Sequence, residues 1–436
     1  MHYCTNSIAV SACAFSHATP YSPPHHPNYR AKLGNATSLQ NLQKFAKLAK
    51  VCKTCKTQLL TKGNCVISSN PFTPTFGLIP PFMAGREELV EDLSAAFAHG
   101  LGDPNLCTVI SGARGTGKTA LLSFMADEAA SQGWISVNTT ASEGMLEDIL
   151  LQTGREAASF LEAIDSRKLR GINIGQLIGL EWDNESDRPA NWRLHMTEAL
   201  EQLAEHEIGL LITVDEVSAN FSEMKQLARI YQHFIREGRK VGLLMAGLPF
   251  AVSGLLSDED VSFLRRARKH TLGRISDADI RDAMKLTIVE AGRDIERSAL
   301  DMAVEAIDGF PYMMQLVGYR IWAENPQTPI IDEQDVRHGI KLAQAEMIEG
   351  ILDYTYRDLS KGDRRFLTAM ASHDAPVSLA EISTAMGVKS NYASQYRRRL
   401  LEQGVIGETP AGKLRFDIPA FRDYLLEQVQ EDELDS

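Results

Sequence analysis

Residues 109–122 read VISGARGTGKTALL, and within them Gly112, Gly117, Lys118 and Thr119 satisfy the spacing G-x-x-x-x-G-K-[ST]. That spacing has one chemical use. Glycines let the backbone curl so that successive N–H groups point inward at a phosphate, and the helix that follows adds its positive end. The cradle comprises Gly112, Ala113, Arg114, Gly115, Thr116, Gly117, Lys118, Thr119 and Ala120. Lys118 is suited to bridge phosphate oxygens, and the Thr119 hydroxyl to ligate Mg²⁺. A second constellation lies at residues 210–216, LLITVDE. An apolar and β-branched run ends there in two acids, the place where open α/β sheets bind ligands. Asp215 is placed to hold Mg²⁺ through a water, and Glu216 to orient and deprotonate an attacking water.

A third group is cationic. Residues 262–274, SFLRRARKHTLGR, put Arg265, Arg266, Arg268 and Lys269 near an expected helix end. Either Arg265 or Arg266 could act as an arginine finger on the nucleotide of a neighbouring subunit in a homo-oligomer. The bland reading is a solvated helix end that complements the macrodipole, and the sequence does not choose between them.

These groups need elements to hold them. A strand from 106 to 111 precedes the loop and a helix from 119 to 132 follows it. Strands at 134–139, 210–216 and 241–246 alternate with helices at 143–169, 192–206 and 225–237, the order of a parallel sheet with covering helices. Residues 171–183 alternate like a short strand or hairpin. The strand at 241–246 runs into Gly247-Leu248-Pro249, without the polar side chain that would touch a γ-phosphate. Ahead of the sheet, the proline-punctuated 70–81 (NPFTPTFGLIPP) excludes helix, and LVEDLSAAFAHG is an amphipathic one. Residues 81–85 suit either an adenine pocket or plain packing.

From 276 to 350 the pattern is all-helical, with Ser276 and Asp332 at N-cap positions. This is a lid, and Gly309-Phe310-Pro311 turns the chain so that the lid's third helix can start facing the nucleotide. Between 356 and 430, helices at 361–372, 378–386 and 390–403 precede a hairpin with its tip at Pro410-Ala411-Gly412, the winged-helix pattern. Its third helix displays Lys389, Ser390, Asn391, Tyr392, Gln395, Arg397, Arg398 and Arg399. The cations suit phosphates, and Asn391 or Gln395 suits base edges of double-stranded DNA. Such modules also serve as packing domains.

The bulk properties are lopsided. Residues 1–70 hold seven Lys, one Arg and no acid, a charge of +8, which leaves the rest at −20 within a total of −12. Five of the six cysteines (Cys4, Cys13, Cys52, Cys55, Cys65) also lie there, with only Cys107 in the body. That body reads as a reducing-compartment, cytoplasmic protein without disulfides. No run is long and apolar enough for a membrane span. Residues 1–70 fit a disordered extension: a transit segment, an added leader, or translation from too early a start. Cys52-x-x-Cys55 with Cys65 lacks a fourth ligand for zinc. The expected division is 1–70 basic extension, 71–274 nucleotide-binding core, 275–352 lid, 353–430 winged helix–turn–helix and 431–436 acidic tail.

NPFTP, RGTGKT, the DE strand end and the YRRRL helix together resemble AAA+ ATPases of the origin-recognition and cell-division-control initiator type, and related STAND ATPases. The resemblance covers roughly residues 70–430. It implies ATP and Mg²⁺ as ligands, Lys118 and Thr119 on phosphate and metal, and Asp215 with Glu216 as the Walker B pair. Two departures stand out. Gly309-Phe310-Pro311-Tyr312 occupies the place of the initiators' sensor arginine, resembling the proline-bearing lid of STAND switches, and the polar sensor after the third strand is missing. Both favour a slow nucleotide switch: either weak ATP hydrolysis coupled to DNA binding, or a STAND-like hub in which ATP is structural and the winged helix contacts protein.

Overall fold

The computed structural model describes residues 69–434 except 76, 165–187 and 374–375. The expected hairpin at 171–183 and the cysteine-rich residues 1–65 lie outside them.

Five parallel strands form the sheet: β1 (Cys107–Gly112), β2 (Trp134–Thr140), β3 (Gly209–Asp215), β4 (Val241–Gly247) and β5 (Arg268–Leu272), in the order β2-β3-β4-β1-β5. Their side chains alternate between two buried faces, as a sheet covered on both sides requires. Val109, Ile212, Val214, Leu243 and Met245 belong to one core cluster, with Trp192 and Phe234. Ile110, Leu211, Leu244 and Ala246 belong to the other. Helices α1 (Glu87–His99) and α2 (Lys118–Ser131) cover the second face. Helices α3 (Met145–Ile164), α4 (Arg188–Ala204) and α5 (Ser222–Arg236) cover the first. Gly209 starts β3 because the Trp134 ring lies against it; a Cβ there would sit 2.4 Å from the ring.

Arg268 and Lys269 are not on a helix end but on edge strand β5, which pairs with β1. Only Arg265 and Arg266 end the preceding 3₁₀ helix, Glu259–Arg266, which follows α6 (Pro249–Ser257). The stretch RKHTL hid its strand because most of its residues are polar and only Leu272 is buried.

The stretch expected to form the lid contains α7 (Asp277–Glu290), α8 (Arg297–Ile307), α9 (Pro311–Glu324) and α10 (Glu333–Met347), with Ser276 and Asp332 capping as expected. It is not purely helical, since β6 (Asp294–Ile295) and β7 (Ile330–Ile331) pair in parallel. Phe72 plugs into this lid: Asn70 Nδ2 donates to Tyr319 O at 2.9 Å, and a Cβ on Gly318 would sit 2.3 Å from the Phe72 ring.

From α10 the chain stays helical through a π-turn (Ile348–Leu352) into α11 (Asp353–Asp358). Then come α12 (Lys361–Ala371), α13 (Leu379–Met386), α14 (Ser390–Glu402) and an antiparallel hairpin of β8 (Ile406–Glu408) and β9 (Leu414–Phe416). Val377 bridges to Leu414, and α15 (Phe421–Leu434) closes this C-terminal module. Residues 431–434 continue that helix and are not a separate tail. Lid and module share one hydrophobic cluster, from Ile280 and Met314 to Phe366, Leu400 and Phe421.

Candidate functional site

The loop between β1 and α2 has the curl its glycines allow. Gly115 and Gly117 take φ of +75° and +85°, a region that favours glycine. Gly112 is equally constrained, because a Cβ would lie 2.6 Å from Thr116 Oγ1. Lys118 Nζ donates to Gly112 O at 2.9 Å and Ala113 O at 2.8 Å. Its ammonium therefore sits over the cradle, where an anion would compete for it. Burial pulls the Lys118 pKa below the ordinary lysine value, against the pull of Asp215. A phosphate would reverse that penalty.

Although β4 separates β1 from β3, the Thr119 hydroxyl donates to Asp215 Oδ2 at 2.5 Å. Asp215 Oδ1 accepts from the Glu216 N–H at 2.8 Å, so both carboxylate oxygens are aimed. Glu216 itself lies past the strand with φ of +53°, a conformation that costs a non-glycine residue about 1–2 kcal/mol. The turn leaves its side chain exposed at the sheet's carboxyl edge. A hydroxyl and a carboxylate oxygen in contact suit Mg²⁺, which keeps waters and substrate phosphates as its other ligands. Among the described residues no group of three or more His, Cys, Asp or Glu side chains could hold a metal by itself. The residues present fit a metal bound together with a phosphate.

The end of β4 explains the missing polar sensor. Val217 N donates to Ala246 O at 2.9 Å, and a Cβ on Gly247 would meet Val217 O and Cγ2 at 3.0 Å. A side chain there would be tight against that backbone and against Val252. The lid comes to the loop instead: Gly115 faces Tyr312 Cβ and Gly117 faces Pro311 Cβ. The start of α9 thus faces the cradle, as its turn implied.

Sequence reasoning missed the third wall. A cavity of about 570 Å³ is bounded by Gly112, Ala113 and Thr116, by Gly309–Pro311, and by the C-terminal module through Arg415, Asp417 and Arg422. Arg114 Nε donates to Gln403 O at 3.1 Å, and Gly404 packs on Leu248. The only local signal was an acid, Asp417, set between apolar Phe416 and Ile418.

The two finger candidates now differ. Arg265 is tied to Leu256 O and Ser257 O at 3.0 and 3.2 Å. Arg266 is exposed and makes no hydrogen bond or ion pair among the described residues. On α14, Lys389, Ser390, Asn391, Tyr392 and Gln395 are exposed. The arginines are engaged: Arg397 with Glu408, Arg398 with Glu402 at 3.1 Å, and Arg399 with the buried Asp363 at 2.5 Å.

Residues 83–244, which carry this cradle and the paired acids, match the family model of an AAA ATPase domain. Residues 349–425 match a domain of unknown function, DUF8462. No curated protein matches the chain. Among solved structures, the Walker-type ATPase PABY2304 of Pyrococcus abyssi is similar with a TM-score of 0.55 at 14% identity, over 78% of this chain and 95% of that one. The ORC2 protein of Aeropyrum pernix, solved in ADPNP and ADP complexes, is similar with a TM-score of 0.53 at 16% identity, over 83% and 98%. The parallel sheet with its covering helices therefore shares the fold of these two proteins.

Proposed function

We propose that this chain is an AAA+ protein that binds ATP with Mg²⁺ and hydrolyses it slowly, using the nucleotide state to set the position of its C-terminal module. The observation that carries this reading is the contact of Thr119 with Asp215 across β4, beside a lysine held over a glycine cradle. In it, Lys118 and the backbone of 112–120 hold the phosphates, and Thr119 and Asp215 hold Mg²⁺. Bound Mg²⁺ supplies charge neutralisation on the phosphate oxygens. Glu216 orients the attacking water and takes its proton. Among the described residues, neither the end of β4 nor the start of α9 carries a sensor side chain, which supports slow turnover.

In this reading the C-terminal module is a winged helix–turn–helix. Lys389, Ser390, Asn391, Tyr392 and Gln395 form the face for double-stranded DNA, with Arg397 and Arg398 joining once they leave Glu408 and Glu402. The test is the steady-state rate of phosphate release with and without double-stranded DNA in moderate salt. A low basal rate that changes with DNA is the expected result; a rate indifferent to DNA removes the coupling.

One observation favours a second reading. All three arginines of α14 are already paired within the chain, which suits a STAND-like switch whose module contacts protein. Unchanged DNA affinity in Arg397→Ala and Arg398→Ala would select it.

Arg266 is the finger in this proposal, reaching the site of a neighbouring copy. The rate per subunit should then rise with protein concentration in the wild type and stay flat in Arg266→Ala. Arg265→Ala should keep the rise, because Arg265 serves the carbonyl end of α6.

A further inference from the structure

The cavity beside the phosphate loop contains a cation that the site described so far does not use. Three arginines line it. Arg415 is tied to Asp417, whose side chain is only 6% exposed, and Arg422 donates to the carbonyls of Ala371 and His373. Arg274 is held more loosely. Its Nη1 donates to Asp308 Oδ1 at 2.5 Å, in a pair whose side chains are 58% and 59% exposed. Such an exposed ion pair contributes little and is cheaply exchanged. The Arg274 guanidinium also lies 5.3 Å from the centre of the Phe310 ring, which is itself part of the cavity wall.

The direction of a bound nucleotide decides what reaches this group. In the sheet order β2-β3-β4-β1-β5, the contact of Thr119 with Asp215 puts Mg²⁺ and the terminal phosphate on the β3 side of the loop. The α-phosphate and the nucleoside then extend the other way, toward β5. There the cavity runs from Gly112, Ala113 and Thr116 to Leu272, Arg274 and the Gly309 turn. Its volume of about 570 Å³ is within the range of small-molecule sites.

We propose that Arg274 binds the α-phosphate of a nucleoside di- or triphosphate, exchanging Asp308 for it, and so carries nucleotide occupancy to the lid. The inference rests on the nucleotide-site reading above and adds the residue through which that site is regulated. A guanidinium offers a phosphate the same paired N–H groups that it offers a carboxylate. Arg274 also stands on the link between β5 and α7. On the core side of it, Arg86 Nη2 donates to Gly273 O at 2.5 Å. On the lid side, Ile275 N donates to Gly309 O at 2.8 Å, and a Cβ on Gly309 would lie 2.7 Å from Arg274 Cβ. Movement of the Arg274 side chain is therefore felt at the turn that leads into α9.

The test is calorimetry of full-length wild type, Arg274→Gln, Asp308→Asn and the double variant with ATP, ADP and adenosine, all with Mg²⁺. Arg274→Gln is expected to bind ATP and ADP about tenfold more weakly, the loss of one charge-assisted contact, with adenosine unaffected. Asp308→Asn is expected to bind both nucleotides about two- to threefold tighter, because Arg274 no longer has a carboxylate to leave. That gain should vanish in the double variant. Asparagine suits the left-handed backbone of residue 308, at φ +48°, so this variant decides the matter even if Arg274→Gln fails to fold. Unchanged ATP affinity in Arg274→Gln overturns the proposal, as does unchanged or weakened binding in Asp308→Asn. An equal loss for adenosine, or a gain that survives in the double variant, overturns it too. A wild type that binds no ATP overturns the nucleotide-site reading itself.

Discussion

Glu216→Gln should still bind ATP with wild-type affinity while phosphate release falls by about 10²- to 10³-fold, the usual worth of a positioned general base. The expectation comes from geometry. Asp215 is used up at both oxygens, by the Thr119 hydroxyl and the Glu216 N–H. Glu216 has no such duty, and its left-handed backbone turns it out of the strand at the edge where the cradle lies. Glutamine keeps the size and the backbone but cannot take a proton. Single-turnover phosphate release beside equilibrium ATP binding separates the two effects. Unchanged release would remove Glu216 from the chemistry and leave the binding site intact.

Lys118→Ala should weaken ATP binding by roughly a hundredfold, since losing charge-assisted hydrogen bonds to phosphate costs about 3 kcal/mol. The folded state should tolerate the change. The two bonds Lys118 makes are to carbonyls of its own loop, Gly112 and Ala113, and Lys118 is only half-buried. Titration with a fluorescent ATP analogue, alongside a thermal melt, checks both halves. A variant that binds normally would mean the cradle is held by backbone alone.

What could be read from the sequence divides along the range of the interactions. The phosphate loop was legible because its chemistry is contiguous: glycines, a lysine and a threonine at fixed spacing. Asp215 and Glu216 were legible because an unbroken apolar strand leads to them. β5 was not, because an edge strand buries little, and its Arg268, Lys269 and Thr271 carry no alternation to detect. The pairing of β6 with β7 was invisible at two residues each. The third wall of the site depends on contacts between residues about three hundred positions apart, Arg114 with Gln403 among them. No local pattern announces such a contact. The arginines of α14 teach a related lesson: spacing put them on a helix surface, but their partners Glu408 and Asp363 come from other elements.

The unbroken helical path from Glu333 through the π-turn to Asp358 has a mechanical consequence. These 26 residues form a rod roughly 40 Å long at about 1.5 Å per residue, and the apolar cluster it runs through is continuous from lid to module. Bending such a rod would mean tearing that cluster, so lid and module must swing as one arm. The pivot then falls where the arm is thin, at the Gly273-Arg274 link and the Gly309 turn that packs against it.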